Sequence, residues 1–242
     1  MASAGIGRSV EGTHAVLAAL RAGRVQSLRV ERSRQKGLAE LLAEAEQHRA
    51  EVRFVDDVRE FAETTAPQGV VATCRPIESL SLKDLLAGAP DPVALLVLDH
   101  LEDPHNVGAI ARSAWAAGIH GLVVARARSA PLSGAAFKAA AGALEHLAIA
   151  EVGSTADAVK RLSDAGVWTI GLSADGDTDL FGLDLLAQPS AIVVGAEGGG
   201  LARLVEERCD VRAAIPMANP FESLNASVAA ALASFEVLRA RR

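Results

Sequence analysis

The chain has 242 residues and a formal net charge of −6; half of it is hydrophobic, 22% is charged, and it carries 21 glycines and 9 prolines. This composition excludes a disordered, collagenous or low-complexity chain, and the length suits one large domain or a small one joined to a medium one. Net acidity argues against a protein that coats itself with nucleic acid, although residues 1–87 are balanced in charge and the acidity lies beyond them.

In chain order, residues 15–20 read as helix and 27–30 as a short strand. Residues 36–48 have helical composition, with Leu38, Leu41, Leu42 and Ala45 on one stripe. Strand patterns recur at 52–55 and 69–74. Within residues 21–36, Arg21, Arg24, Arg29, Arg32, Arg34 and Lys36 face only Glu31, a basic strip able to follow a phosphate backbone or simply to be a solvated surface. Residues 76–92, with Pro76, Pro90, Pro92 and Gly88, read as a linker containing a short helix at 81–86. Beyond it come continuous apolar strands at 94–98, 121–125, 147–152, 167–172, 191–194 and 211–215. Helices lie between them, at about 107–117 and at 155–165 with Ser154 as its cap, which is the pattern of a parallel sheet covered on both faces. The last helix places Leu224, Val228, Ala231, Phe235 and Leu238 on a stripe that packs on the domain or on a second copy.

No apolar run approaches the roughly 20 residues of a membrane span, and the N-terminus lacks the pattern of a secretory signal, so a cytosolic chain is expected. Cys74 and Cys209 are far apart, without the spacing of a metal site or a disulfide framework, and are expected to be small buried residues.

Open α/β sheets bind ligands beyond the carboxyl ends of their strands. Three loops there are unusual. After residues 94–98 come Asp99, His100, Leu101, Glu102, Asp103, Pro104, His105 and Asn106, with Asn106 expected to cap a helix on which Gly108 and Arg112 share a face open to a ligand. After 191–194, Gly195, Ala196, Glu197, Gly198, Gly199 and Gly200 allow close backbone approach, yet match neither a dinucleotide fingerprint nor a Walker loop, which disfavours a dehydrogenase. After 211–215, the chain from Pro216 through Met217 reaches Ser223, expected as the cap of the last helix. Asn225 then falls in the first turn with no capping role.

Together, Asp103-Pro104-His105-Asn106 with Arg112, Gly195-Ala196-Glu197-Gly198, and Ile215-Pro216-Met217 followed by Ser223-Leu224-Asn225 resemble the three motifs of the SpoU/TrmH-type RNA ribose 2'-O-methyltransferases. Glu11-Gly12-Thr13-His14-Ala15-Val16 and Gln68-Gly69-Val70-Val71-Ala72 resemble the small RNA-binding domain of the branch that acts on a guanosine of 23S rRNA. The resemblance implies a parallel-sheet α/β domain with a deep trefoil knot over residues 93–242, a small N-terminal α/β RNA-binding domain over 1–75, and a homodimer without metal or membrane attachment. It implies S-adenosylmethionine as cofactor, held by Gly195, Ile215 and Leu224 with Met217 lining its pocket. Asn106, Arg112, Glu197, Ser223 and Asn225 would form the catalytic or substrate-orienting set. A guanidinium is ordinarily permanently charged, so Arg112 either acts as an unusual base or stabilises the developing alkoxide or a phosphate, with Glu197 or the RNA phosphate taking the proton. Pro67 stands where the family shows histidine before the Gln-Gly pair, which bears on the nucleotide chosen. With no Tyr, six Phe and two Trp, RNA contacts are expected to lean on Arg, Lys and backbone. The competing readings are the same chemistry on another rRNA nucleotide, as in antibiotic resistance, or on tRNA, and a non-catalytic RNA-binding assembly factor.

Overall fold

The alternation of apolar runs and helix formers resolves, in a computed structural model describing residues 5–127, 129–219 and 223–242, into eleven strands and eight α-helices among the described residues. In chain order these are β1 (Ser9–Glu11), α1 (Thr13–Arg21), β2 (Val25–Glu31), α2 (Ala39–Gln47), β3 (Glu51–Val55), β4 (Val70–Cys74), α3 (Leu82–Ala87), β5 (Ala94–Leu98), α4 (Pro104–Ala116), β6 (Gly121–Ala125), α5 (Gly134–Ala140), β7 (Ala148–Val152), α6 (Thr155–Asp164), β8 (Trp168–Leu172), β9 (Thr178–Asp179), β10 (Ser190–Val194), α7 (Arg203–Glu206), β11 (Val211–Ala214) and α8 (Ala226–Ala240). They form two units. One runs to Glu78 and takes in Val107–Arg112 and Pro131–His146; the other comprises the remaining segments from Ser79 onward.

The first unit is built on a sheet of order β1-β4-β2-β3, with β2 and β3 parallel and the other pairs antiparallel. α1 buries Ala15, Val16, Ala19 and Leu20, the apolar positions of its sequence. Gly12, at the head of α1, has φ of 88° and no side chain to cap with, so Gln68 does the work from across the sheet, its Oε1 accepting the Thr13 N–H at 3.0 Å. Two segments that drew attention as separate motifs are thus one hydrogen-bonded feature. Gly108 behaves differently from its expectation. A Cβ there would lie 2.4 Å from the Ala136 carbonyl oxygen and 2.5 Å from the Ala139 Cβ, so the space is occupied by α5 and is not left for a ligand.

The second unit is an all-parallel sheet of order β7-β6-β5-β10-β8-β11-β9. Every residue of β5, β6 and β10 is buried, as continuous apolar strands covered on both faces require. Ser154 caps α6 as expected, accepting the Asp157 N–H at 3.2 Å. α8 does not use its large-residue stripe for the core: it buries Ala226, Ala230, Ala233 and Val237, while Val228 and Phe235 are 47% and 49% exposed. The small alanine face lets the helix approach the sheet closely; the large residues face outward.

The end of α8 is pinned by one side chain. The Arg241 guanidinium donates to the carbonyls of Leu186 (3.0 Å), Pro92 (2.6 Å), Val93 (2.9 Å) and Gln188 (2.8 Å), and to Ser190 Oγ (3.1 Å). Hydrogen bonds from a charged donor contribute more than neutral ones, so Arg241→Ala should destabilise the protein by about 2–3 kcal/mol in urea unfolding. Arg241→Lys should recover less than half of that, because an ammonium lacks the planar fork. A loss below about 0.5 kcal/mol would contradict the anchor.

Candidate active site

Parallel register sets the carboxyl ends of β5 and β10 side by side, with Leu98 opposite Val194, and those of β8 and β11 next along, with Leu172 opposite Ala213. Strand order reverses direction between β5 and β10, the arrangement that opens a crevice in parallel sheets. The segments leaving β8, β10 and β11 enclose a cavity of about 430 Å3, within the range of small-molecule sites. Its walls bring together Gly195, Glu197, Ile215, Met217, Ser223 and Leu224, six of the nine residues singled out from sequence.

Two more meet at Glu197. Asn106 Nδ2 donates to Glu197 Oε1 at 2.8 Å, Asn225 Nδ2 donates to the same oxygen, and Asn225 Nδ2 lies 3.3 Å from Asn106 Oδ1. The capping roles differ from those expected. Asp103 caps α4, accepting the His105 N–H at 2.8 Å, and Pro104 occupies the first turn, where a missing N–H is harmless. Asn106 is therefore inside the helix, its amide free to reach Glu197. At α8 the cap is Asn225 and not Ser223: its backbone is extended (φ −53°, ψ 139°), and its Oδ1 accepts the Ser227 N–H at 2.9 Å and the Ser227 hydroxyl at 2.6 Å. An asparagine can do both jobs at once, accepting with one end of the amide and donating with the other. Arg112, exposed on α4, is not among the described residues that line the cavity.

Sequence reasoning missed Ser173, Asp175 and Glu206, which also line the cavity. For Ser173 and Asp175 the signal was present, since a polar loop directly follows the apolar β8; Glu206 lies on α7. The Ser173 hydroxyl sits 2.6 Å from Asp175 Oδ1 and holds that carboxyl below its usual pKa, with help from a backbone N–H and the Arg212 charge. Asp175, Glu197 and Glu206 give the walls three carboxylates, and no Lys, Arg or His is among the described lining residues. Such a cavity suits a cationic ligand and repels a phosphate-bearing one. Gly198, Gly199 and Gly200 have nothing within 4 Å of where a Cβ would be, so open space, not protein packing, lies beside them.

The thiols are inert by the same reasoning about charge and burial. Cys74 is buried and Cys209 half-buried, and burial pushes both thiols up to about 12 because a thiolate is poorly solvated there. At pH 8 neither should react with iodoacetamide on the native protein, and both should label after unfolding in denaturant. Stoichiometric labelling of the folded chain, counted by mass spectrometry, would contradict this.

Residues 93–235 match the SpoU rRNA methylase family, and residues 9–80 match a second family, RNA 2'-O ribose methyltransferase substrate binding. The chain is 39% identical over 238 residues to the 23S rRNA (guanosine-2'-O-)-methyltransferase RlmB of Ralstonia nicotianae, covering 95% of this chain and 94% of that one. It is 42% identical over 189 residues, 77% of its length, to an uncharacterised tRNA/rRNA methyltransferase of Mycolicibacterium vanbaalenii, of whose length the match spans 60%. Among solved structures it is similar to the SpoU methyltransferase AviRb of Streptomyces viridochromogenes in complex with AdoMet, with a TM-score of 0.79 and 29% identity, covering 96% of this chain and 90% of that one.

A parallel sheet with a cavity at its carboxyl edge, in a chain whose residues 9–80 match RNA 2'-O ribose methyltransferase substrate binding, defines an RNA-modifying enzyme of the α/β class. The chain belongs to the SpoU family of RNA ribose methyltransferases, which use S-adenosylmethionine. That cofactor fits the residues present: its sulfonium and ammonium outweigh its one carboxylate, matching the anionic walls, and its size suits the cavity.

Proposed function

We propose that this chain methylates the 2'-hydroxyl of a guanosine in 23S rRNA during rRNA processing in the cytoplasm, the finer form of the S-adenosylmethionine-dependent RNA ribose methylation its family carries out. The observation that carries the reading is the meeting of Asn106, Glu197 and Asn225 at an anionic cavity, in a chain whose residues 9–80 match a substrate-binding family. In this reading residues 1–75 select the RNA, 76–92 link, and 93–242 catalyse. The deep trefoil knot belongs to the same reading, supported by the family match over residues 93–235.

When bound, S-adenosylmethionine supplies an electrophilic methyl on sulfonium sulfur, which an attacking oxygen takes as the sulfur keeps the bonding pair. The protein's task is to bind, orient and deprotonate. Gly195, Ile215 and Leu224 hold the cofactor through backbone groups, with Met217 against it. Glu197, fixed by two amide donors, accepts the 2'-hydroxyl proton. Ser223 orients the ribose. Arg112, a permanent cation, stabilises the developing alkoxide.

The enzyme acts as a homodimer. Support comes from Val228, Leu232 and Phe235, which line one face of α8 at spacings of four and three and are 38–49% exposed. Leu232→Glu with Phe235→Glu should turn a dimer into a monomer in sedimentation velocity; a wild-type monomer at micromolar concentration would end that part of the reading.

The test is a 2'-O-methylation map of unmodified 23S, 16S and tRNA incubated with S-adenosylmethionine and enzyme. One newly protected guanosine in 23S rRNA is the expected result. Protection confined to 16S rRNA or tRNA would move the specificity elsewhere and keep the chemistry. No protection anywhere, with cofactor bound, would favour an assembly factor.

A further inference from the structure

Seven residues, Gly195 to Leu201, separate the end of β10 from Ala202, and four of them are glycine. So glycine-rich a segment pays a large entropy cost to hold one shape. Internally it is closed only by the Ala196–Gly200 pair, N–H to carbonyl in both directions at 3.0 and 2.9 Å. Yet this loop forms one wall of the cavity and carries Glu197 to its two amide partners. Something outside the loop has to fix its ends.

That group is Asp99, the first residue after β5. Its backbone N–H donates to the Val194 carbonyl at 2.8 Å, the entry of the loop, and its Oδ2 accepts the Ala202 N–H at 2.8 Å, the exit. The side chain is 1% exposed, so this bond is made in a medium where an acidic acceptor is strong. Asp99 Oδ1 has no aligned hydrogen-bond donor, and His100 Nδ1 lies 2.7 Å from it. His100 takes a left-handed backbone (φ 55°), an uncommon conformation for a residue with a Cβ.

We propose that Asp99 is a positioning residue for methyl transfer: by clamping both feet of the 195–201 loop it holds the cavity wall and Glu197 in place, while touching neither cofactor nor RNA. The proposal rests on the methyl-transfer reading of this cavity, but its first readout does not depend on activity.

Three variants are compared with wild type: Asp99→Ala, Asp99→Asn, and Ala202→Pro, which deletes the donor at a backbone already near proline's angle (φ −61°). Amide hydrogen exchange across residues 196–201 is measured on the ligand-free protein, then the affinity for S-adenosylhomocysteine by calorimetry, then kcat and KM for RNA. Asp99→Ala should speed exchange in that loop about tenfold, weaken S-adenosylhomocysteine binding by about as much, and lower kcat with the RNA KM unchanged. Asp99→Asn, which keeps an acceptor for Ala202, should restore most of the protection. Adding Ala202→Pro to Asp99→Ala should cost no more than either alone, since both break one bond. Unchanged exchange of the loop in both Asp99→Ala and Ala202→Pro, or a rise spread evenly over the whole chain, would overturn the proposal. Should Asp99→Ala fail to fold, Ala202→Pro and Asp99→Asn still decide it. Intact clamping without any RNA methylation by wild type would instead remove the methyl-transfer reading and leave the loop anchor standing.

Discussion

Arg112→Ala is expected to lower kcat for RNA methylation by about 10^2–10^3 or more, the usual loss when a fixed group that stabilises developing oxyanion charge is removed. The affinity for S-adenosylmethionine should stay within about threefold, because uniform cofactor binding is not what the group supplies. The structural basis is that Arg112 is exposed on α4 and is not among the described residues lining the cavity. Single-turnover rates with 23S rRNA and calorimetry with S-adenosylhomocysteine separate the two quantities. Arg112→Lys refines the role: an ammonium keeps charge but loses the fork, so partial recovery points to charge stabilisation and none points to bidentate positioning. Collapse of cofactor affinity in the alanine variant would sink the assignment.

The second large effect is at Asn225, where two functions share one amide. Asn225→Asp retains an oxygen for the Ser227 N–H, and an acid at a helix N-terminus is favoured by the dipole, so α8 and the melting temperature should be preserved. The same change replaces the Nδ2 donor with an anion facing Glu197 Oε1. Loss of a hydrogen bond to a charged group, with like-charge repulsion added, should reduce kcat by at least about 10- to 200-fold. Asn225→Ala should lose activity too and also cost about 1 kcal/mol of stability for the missing cap. Calorimetric melting beside kcat tests both halves at once. If the aspartate variant turns over like wild type, Glu197 does not need its amide partner.

The central strands were legible because burial on both faces writes itself as unbroken apolar runs. Gly121–Ala125 coincides with its expected range, and 94–98 and 191–194 differ from β5 and β10 by one residue at most. β1 and β9, of three and two residues, leave no such run, and α5 has no polar face to mark it: Gly134, Ala136, Phe137 and Ala140 are all buried. The strand-end rule pointed to the loops after β10 and β11, which supply the six of nine candidate residues that line one cavity, and to the loop after β5, which supplies none of the described lining residues. The same rule covers the loop after β8 with Ser173 and Asp175, which was passed over because it matches no family motif; Glu206 lies on α7 and had no such signal.

What the order of residues determined by itself is the class of sheet, two of the loops that line the cavity, and membership of a family whose motifs are short and local. Which residue caps each helix, that both asparagines reach Glu197, what fills the space above Gly108, and which face of α8 meets the sheet were decided only by the tertiary structure. Each of these depends on a partner 28 to 119 residues away or on another element's backbone. Local propensity ranks Ser223 and Asn225 as almost equal caps, so the choice falls to the long-range hydrogen bonds that a one-dimensional pattern does not contain.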